Sequence, residues 1–255
     1  MNETICTIMK RGSLRRYKEE NISDEHLDII LNAAMRAPTA GNMMTYSIIT
    51  VRKEETKKKL AISCDNQPFI AKAPLILIFL ADYSKWYKYY EVNGVREFQK
   101  DRGETFAGPS AGSFVLAVQD AVIAAENAAE SLGIGSCYIG DIMEQKEYHK
   151  TLFNLPEYVF PVAMLTLGYY PEDYMVPLKE RFAEKYVVFE ERYNELSKED
   201  IDDMFRKRDQ LFTAKNKYNA KNYAQMHYNF KVKAPFSKEM QRSVKEALKE
   251  WDKKE

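Results

Sequence analysis

Seven consecutive apolar residues, Leu75 to Ala81 (LILIFLA), constrain this chain more than any other segment. A short apolar run without polar alternation reads as a β-strand buried on both faces. Such a strand needs cover above and below. Helical cover is legible on either side. Ser23 is placed to cap a helix carrying Asp24 and Glu25 in its first turn. Leu27, Ile30, Leu31, Ala34 and Met35 then repeat at helical spacing, and Pro38 stops the helix. Residues 113–132 form a long Ala-rich helix, apolar around most of its circumference, and therefore internal. Gly133 and Gly135 mark its end. Further strands are expected at Tyr46–Val51, Ser136–Ile139 and Val162–Tyr169.

Helix and strand signals alternate up to about residue 182 and then change. From 183 to 255 the strand signals stop. Ser197 is expected to cap a helix through Ile201, Met204, Phe205 and Phe212, and Ser237 another through Met240, Val244, Leu248 and Trp251. Between them lies a Lys-rich, aromatic-rich stretch free of Asp and Glu. The chain thus reads as a core over 1–182 and a helical extension over 183–255 with an irregular middle. At 255 residues this is one large domain, or one with an appendage.

Lys+Arg and Asp+Glu are both 38, which excludes a strongly basic nucleic-acid coat or an acidic tail at whole-chain level. Cys6, Cys64 and Cys137 are far apart and make no CxxC, which fits a reducing compartment; a cytoplasmic location is expected. The N-terminus has no secretory pattern, and the longest apolar-rich stretch, Phe114–Leu132, holds Asp120, Glu126 and Glu130, so no membrane segment is expected.

Several chemistries lack their signatures. His26, His149 and His227 have no Cys or second His at metal-ligand spacing. There is no G-x-S-x-G elbow and no Walker loop. Gly133, Gly135 and Gly140 fail the dinucleotide fingerprint because Tyr138 stands where its third glycine belongs. With no nucleophile–base pair legible, the chemistry falls to a bound cofactor.

Four constellations remain. Arg11-Gly12-Ser13-Leu14-Arg15, if extended, projects two guanidinium forks and a hydroxyl to one face, which suits a phosphate or an acceptor-rich ring edge. Ala37-Pro38-Thr39-Ala40-Gly41-Asn42 is a small-residue loop that lets backbone approach a flat ligand. Leu132 to Gly140 (LGIGSCYIG) turns a helix end into a strand between glycines. Leu167-Gly168-Tyr169-Tyr170-Pro171 ends a strand and is followed by Lys179 and Arg181. Taken singly, each has an ordinary reading: a surface basic cluster, a helix-ending loop, an αβ connection, a solvated cation pair.

In this order and register the four resemble the FMN-dependent nitroreductase family, whose pattern is R-x-S-x-R, A-P-(S/T)-x-x-N, G-(L/I)-G-x-x-(Y/W)-I-G and a terminal L-G-Y-P with K-x-R. The resemblance covers roughly residues 5–182. It implies an α+β nitroreductase-like fold: a central, mostly antiparallel sheet flanked by helices, a helical C-terminal extension and an intertwined homodimer. It implies FMN as cofactor and NAD(P)H as transient donor. Arg11 would bind the FMN phosphate, with Lys179 and Arg181 converging on it. Ser13 would bond the ribityl–phosphate end, and Arg15 would face the pyrimidine edge. Thr39, Ala40, Gly41 and Asn42 would line the isoalloxazine, partly from the neighbouring subunit. Gln67 would bond the ring, and Tyr138, Ile139, Gly140 and Asp141 would lie along it near N5. The charges agree: a phosphomonoester carries about −1.5 to −2 at neutral pH, and three cations offset it.

Two residues depart from the pattern. Met44 stands where many members carry a Gln, which weakens polar recognition of substrate. Asp141 stands where a second glycine is common, and its carboxylate would oppose negative charge on a reduced flavin. The implied reaction is ping-pong: hydride passes from NAD(P)H to flavin N5, then to a nitroaromatic, quinone or flavin acceptor. Two other readings stand beside it. One is a flavoprotein on the same fold that performs dehalogenation, flavin fragmentation or sensing. The other is single-stranded nucleic-acid binding by the Lys/aromatic stretch 211–238, against which a buried subunit-wrapping arm is the preferred expectation.

Overall fold

The structure is a computed structural model that describes residues 2–128 and 132–252. Four strands, β1 (Tyr46–Val51), β2 (Leu75–Asp82), β3 (Ile134–Ile139) and β4 (Val159–Tyr169), form one sheet in the order β1-β2-β4-β3. Every neighbouring pair is antiparallel, as expected. The described helices are α1 (Glu3–Lys10), α2 (Asp24–Met35), α3 (Glu54–Ser63), α4 (Pro68–Lys72), α5 (Ser84–Val92), α6 (Val95–Asp101), α7 (Ala111–Ala128), α8 (Lys146–Leu152), α9 (Lys198–Asp209), α10 (Tyr223–His227) and α11 (Pro235–Trp251).

The apolar run in β2 serves two cores at once. Leu75, Leu77, Phe79 and Ala81 enter one, and Ile76, Ile78 and Leu80 enter the other. Every residue of β2 is buried, so each large side chain contributes roughly 1.5–3 kcal/mol relative to exposure. The first core is covered by α2 and α7. Ala117, Ala121, Ala124, Ala125 and Ala128 of α7 are fully buried, and their small side chains let the helix lie close to the sheet. The second core is covered by Leu60 and Ala61 of α3 and Ile70 of α4.

Ser23 caps α2, its Oγ accepting from His26 N at 3.1 Å. The interior helix begins at Ala111 rather than 113, and residues 129–131 of its expected span lie outside the described residues. Ser197 caps α9 in a reciprocal box with Asp200, but the helix ends at Asp209, so Phe212 lies beyond it. Ser237 is not a cap: α11 starts at Pro235, whose fixed φ suits a first helical position, and Ser237 sits inside the first turn.

By its contacts the chain divides into two compact units, residues 1–177 with 239–255 and residues 178–238. The compositional boundary at Phe182 falls within the second unit. The charged surface of α11 groups it with the extension in sequence, yet its buried Ser243, Ala247 and Trp251 belong to the first unit. Trp251 is 1% exposed and meets Phe114 edge-on, with ring centroids 5.0 Å apart. Within the second unit, the aromatic faces of residues 211–238 are largely met by their own lysines. Lys217 lies over Tyr218, Lys231 over Phe230 and Phe236, and Lys233 over Tyr228.

Candidate functional site

After α1 the chain turns extended at Arg11 and runs along β3. Ser13 makes a parallel bridge to Ser136, and Leu14 N donates to Ser136 O at 2.8 Å. Leu14 is fully buried, so the extended backbone turns Arg11, Ser13 and Arg15 the other way. Gly135 permits the approach. A Cβ there would lie 2.6 Å from both Leu14 Cδ2 and Tyr170 Cζ. The three predicted residues meet around Cys137. Burial raises the Cys137 thiol pKa, while the charge of Arg15, hydrogen bonds with Ser13 and Arg15, and the charge of Arg11 act against that rise. Among the described residues neither Arg11 nor Arg15 pairs with a carboxylate.

The Arg15 guanidinium lies over the Phe69 ring, 5.7 Å from its centroid. Phe69 belongs to α4, and Gln67 is the residue that precedes that helix. Gln67 Nε2 donates to Cys64 O at 2.9 Å and to Asp141 Oδ2 at 2.7 Å. Asp141 opens the turn that follows β3. The motifs at 11–15, 67 and 137–141, distant in sequence, are thereby joined through β3 and α4. Tyr138 points outward, 42% exposed, whereas Ile139 buries its side chain in the second core and leaves only its main chain for a ligand.

Behind Asp141 lies a residue that sequence reasoning missed. Glu144 is 4% exposed, its Oε1 has no partner, and it hydrogen-bonds to Asp141. Burial, reinforced by the charges of Asp141, Asp65 and Glu239, pushes its carboxyl pKa up to about 8. No sequence motif marks it. His149, also buried, pairs its Nε2 with Ser63 Oγ at 2.8 Å, and burial lowers its pKa. That pair is closed inside the fold and serves to join α3 to α8.

The small-residue loop has its own anchor. Gly41 (φ 58°), Asn42 (φ 56°) and Met44 (φ 48°) are left-handed, so the loop needs external support. Asp120 of α7, 3% exposed, supplies it. Its carboxylate accepts from Thr39 Oγ1, Thr45 Oγ1 (2.7 Å), Thr45 N (3.3 Å) and Ala40 N (3.4 Å). Met44 N donates to Thr39 Oγ1 at 3.0 Å. Asp120 also escapes sequence reasoning, except as a charge that rules out a membrane helix. Among the described residues no hydrogen bond or ion pair joins this loop to Arg11, Ser13, Arg15, Gln67 or Asp141. Lys179 and Arg181 belong to the second unit, where both are exposed and Glu180 between them accepts from Lys207 Nζ.

A model of the nitroreductase family matches residues 8–169. An FMN reductase [NAD(P)H] of Bacillus subtilis is 33% identical over 196 residues, 76% of this chain and 75% of that one. An NADPH-flavin oxidoreductase of Vibrio harveyi is 30% identical over 204 residues, 79% of each. The solved structure of NfrA2 from B. megaterium superposes with a TM-score of 0.81 at 32% identity, covering 100% of both chains. The chain belongs to the nitroreductase family.

The residues present fit the flavin that this family implies. Two guanidinium groups without carboxylate partners and a hydroxyl match a phosphate and an acceptor-rich ring edge. A groove of about 680 Å³ adjoins Arg15 and Phe69, lined also by Tyr17, Lys18, Lys57 and Lys72. It does not include Arg11, Ser13 or Gln67, so it borders this site rather than forming it. Among the described residues no group of three His, Cys, Asp or Glu could hold a metal ion, and no helix is long and apolar enough to cross a membrane.

Proposed function

We propose that this chain is an FMN-dependent oxidoreductase that takes reducing equivalents from NAD(P)H and passes them to a nitroaromatic, quinone or free flavin. The observation that carries the reading is the meeting of Arg11, Ser13 and Arg15 along β3, with Gln67 and Asp141 joined to them through Phe69. FMN would supply the two-electron chemistry, accepting a hydride and donating it. The chain's own residues bind and orient. Arg11 and Ser13 hold the phosphate and ribityl end. Arg15 places positive charge at the pyrimidine edge, which favours the reduced, negatively charged state. The Ser63–His149 pair is closed inside the fold, which fits chemistry carried by a cofactor. Relatives known as FMN reductase and NADPH-flavin oxidoreductase support the reading.

Among the described residues no hydrogen bond or ion pair joins the loop at Thr39–Asn42 to this group, and in the proposed site a second copy supplies that loop. Ile5, Ile8 and Met9 on α1 and Val115 and Leu116 on α7 are exposed, and α1 buries none of its residues. We therefore propose a homodimer. Light scattering should return twice 29.7 kDa, and a monomer that retains tightly bound FMN contradicts it. The free cysteines fit a reducing, cytoplasmic setting. The lysines already lying over Tyr218, Phe230 and Tyr228 weigh against nucleic-acid stacking.

Arg11→Ala tests the phosphate assignment. One lost charge-assisted contact costs about 1.5–3 kcal/mol, so the FMN dissociation constant should rise roughly 10- to 150-fold. Fluorescence titration of the apoprotein measures it, and an unchanged constant places the phosphate elsewhere.

A further inference from the structure

A primary amide has two N–H donors and one carbonyl acceptor. In Gln67 both donors are already used, one on Cys64 O at 2.9 Å and one on Asp141 Oδ2 at 2.7 Å. A flipped amide would set its oxygen against a carbonyl oxygen and a carboxylate, two repulsive contacts in place of two bonds. Gln67 therefore meets a ligand through Oε1 alone, as an acceptor. Asp141 is held in turn. The buried Glu144 carboxyl hydrogen-bonds to it as well.

We propose that Asp141 is a positioning residue that locks Gln67 as a pure hydrogen-bond acceptor, selecting the flavin by the N3–H of its pyrimidine ring. The proposal rests on the flavin reading above. The chemistry narrows the choice: the oxidised isoalloxazine has acceptors at N1, O2, O4 and N5 and one ring donor, N3–H. Arg15, a donor without an acceptor, lies over Phe69 on the helix that Gln67 precedes. A donor over Phe69 and an acceptor two residues before it match O2 and N3–H, which are neighbours on the ring. The Asp141 departure from the family pattern then has a use, in place of the glycine that would leave the amide with its Cys64 anchor alone.

The test compares FMN with 3-methyl-FMN, which lacks that N–H, by fluorescence titration of full-length apoprotein. Wild type, Asp141→Asn, Asp141→Ala and Glu144→Gln are measured, with thermal melting confirming that each is folded. Wild type should bind FMN at least about tenfold more tightly than the methylated flavin, the loss expected when a buried acceptor is left unpaired. In Asp141→Ala the amide keeps only its Cys64 anchor, and in Asp141→Asn the new amide can also donate to Gln67 Oε1, so the ratio should fall below about threefold. Glu144→Gln keeps a donor to Asp141 and should keep the wild-type ratio. A methyl group that merely clashes would give the same ratio in all four proteins, which overturns the proposal, as does a wild-type ratio near one. Wild type that binds neither flavin refutes the underlying flavin reading as well, an outcome distinct from an unchanged ratio.

Discussion

Asp120→Ala is expected to lower the unfolding free energy by about 3 kcal/mol, because it strands two buried donors, Thr45 N and Oγ1, at once. The carboxylate is the common acceptor for Thr39, Ala40 and Thr45, and both it and Thr45 are buried. Removing it leaves Thr45 N and the Thr45 hydroxyl without a partner in the core. It also releases a loop whose Gly41, Asn42 and Met44 hold left-handed backbone that does not persist unsupported. Urea unfolding followed by circular dichroism measures the loss. FMN affinity should fall with it, since the Thr39–Asn42 loop is assigned to the ring. Asp120→Asn retains one acceptor oxygen and should lose less. An unchanged unfolding midpoint in Asp120→Ala would show that the loop is held by other contacts.

The second large effect is a pH dependence. Glu144 holds its proton up to about 8 in the folded chain, whereas an unfolded glutamate releases it near 4.5. Between those values the native state binds one proton more than the unfolded state. Stability therefore falls as pH rises, by at most about 1.4 kcal/mol per pH unit. The groups facing Glu144 are Asp141 beside it, Asp65 after α3 and Glu239 on α11, all of the same sign. His149 works oppositely. Burial lowers its pKa from 6.5, so its contribution grows as pH rises towards that value. The window from pH 6.5 to 8 thus isolates Glu144. There the wild-type unfolding free energy should decline, while Glu144→Gln stays level and ends more stable at pH 8 by roughly 2 kcal/mol or more. Parallel curves for the two proteins would place the ionisation elsewhere.

Much of this architecture is legible from residues alone. LILIFLA specifies a strand covered on both faces, and its alternation between two cores follows from the period-two geometry of a strand. Ser23 and Ser197 announce their helices because a hydroxyl cap is a local event. Ser237 misleads because Pro235 two residues earlier is an equally good start. The Arg11–Arg15 face is readable because extended backbone alternates. Its placement beside Cys137 is not, since that depends on a bridge to Ser136 across more than a hundred residues. Asp120 and Glu144 are invisible for a related reason. A carboxylate acquires its role from what encloses it, and nothing in its own neighbourhood in sequence records burial. The end of the chain shows the same limit: a charged helix surface conceals Trp251, which reaches the first core only in three dimensions.

Flavin mononucleotide is the group whose binding this polypeptide must show. Purified protein should be yellow, with absorbance bands near those of bound FMN, and anaerobic NADH or NADPH should bleach them. Apoprotein should recover the spectrum on addition of FMN but not of riboflavin, which has no phosphate for Arg11 to hold. A colourless protein that takes up neither flavin, or one that takes up riboflavin as readily as FMN, contradicts it.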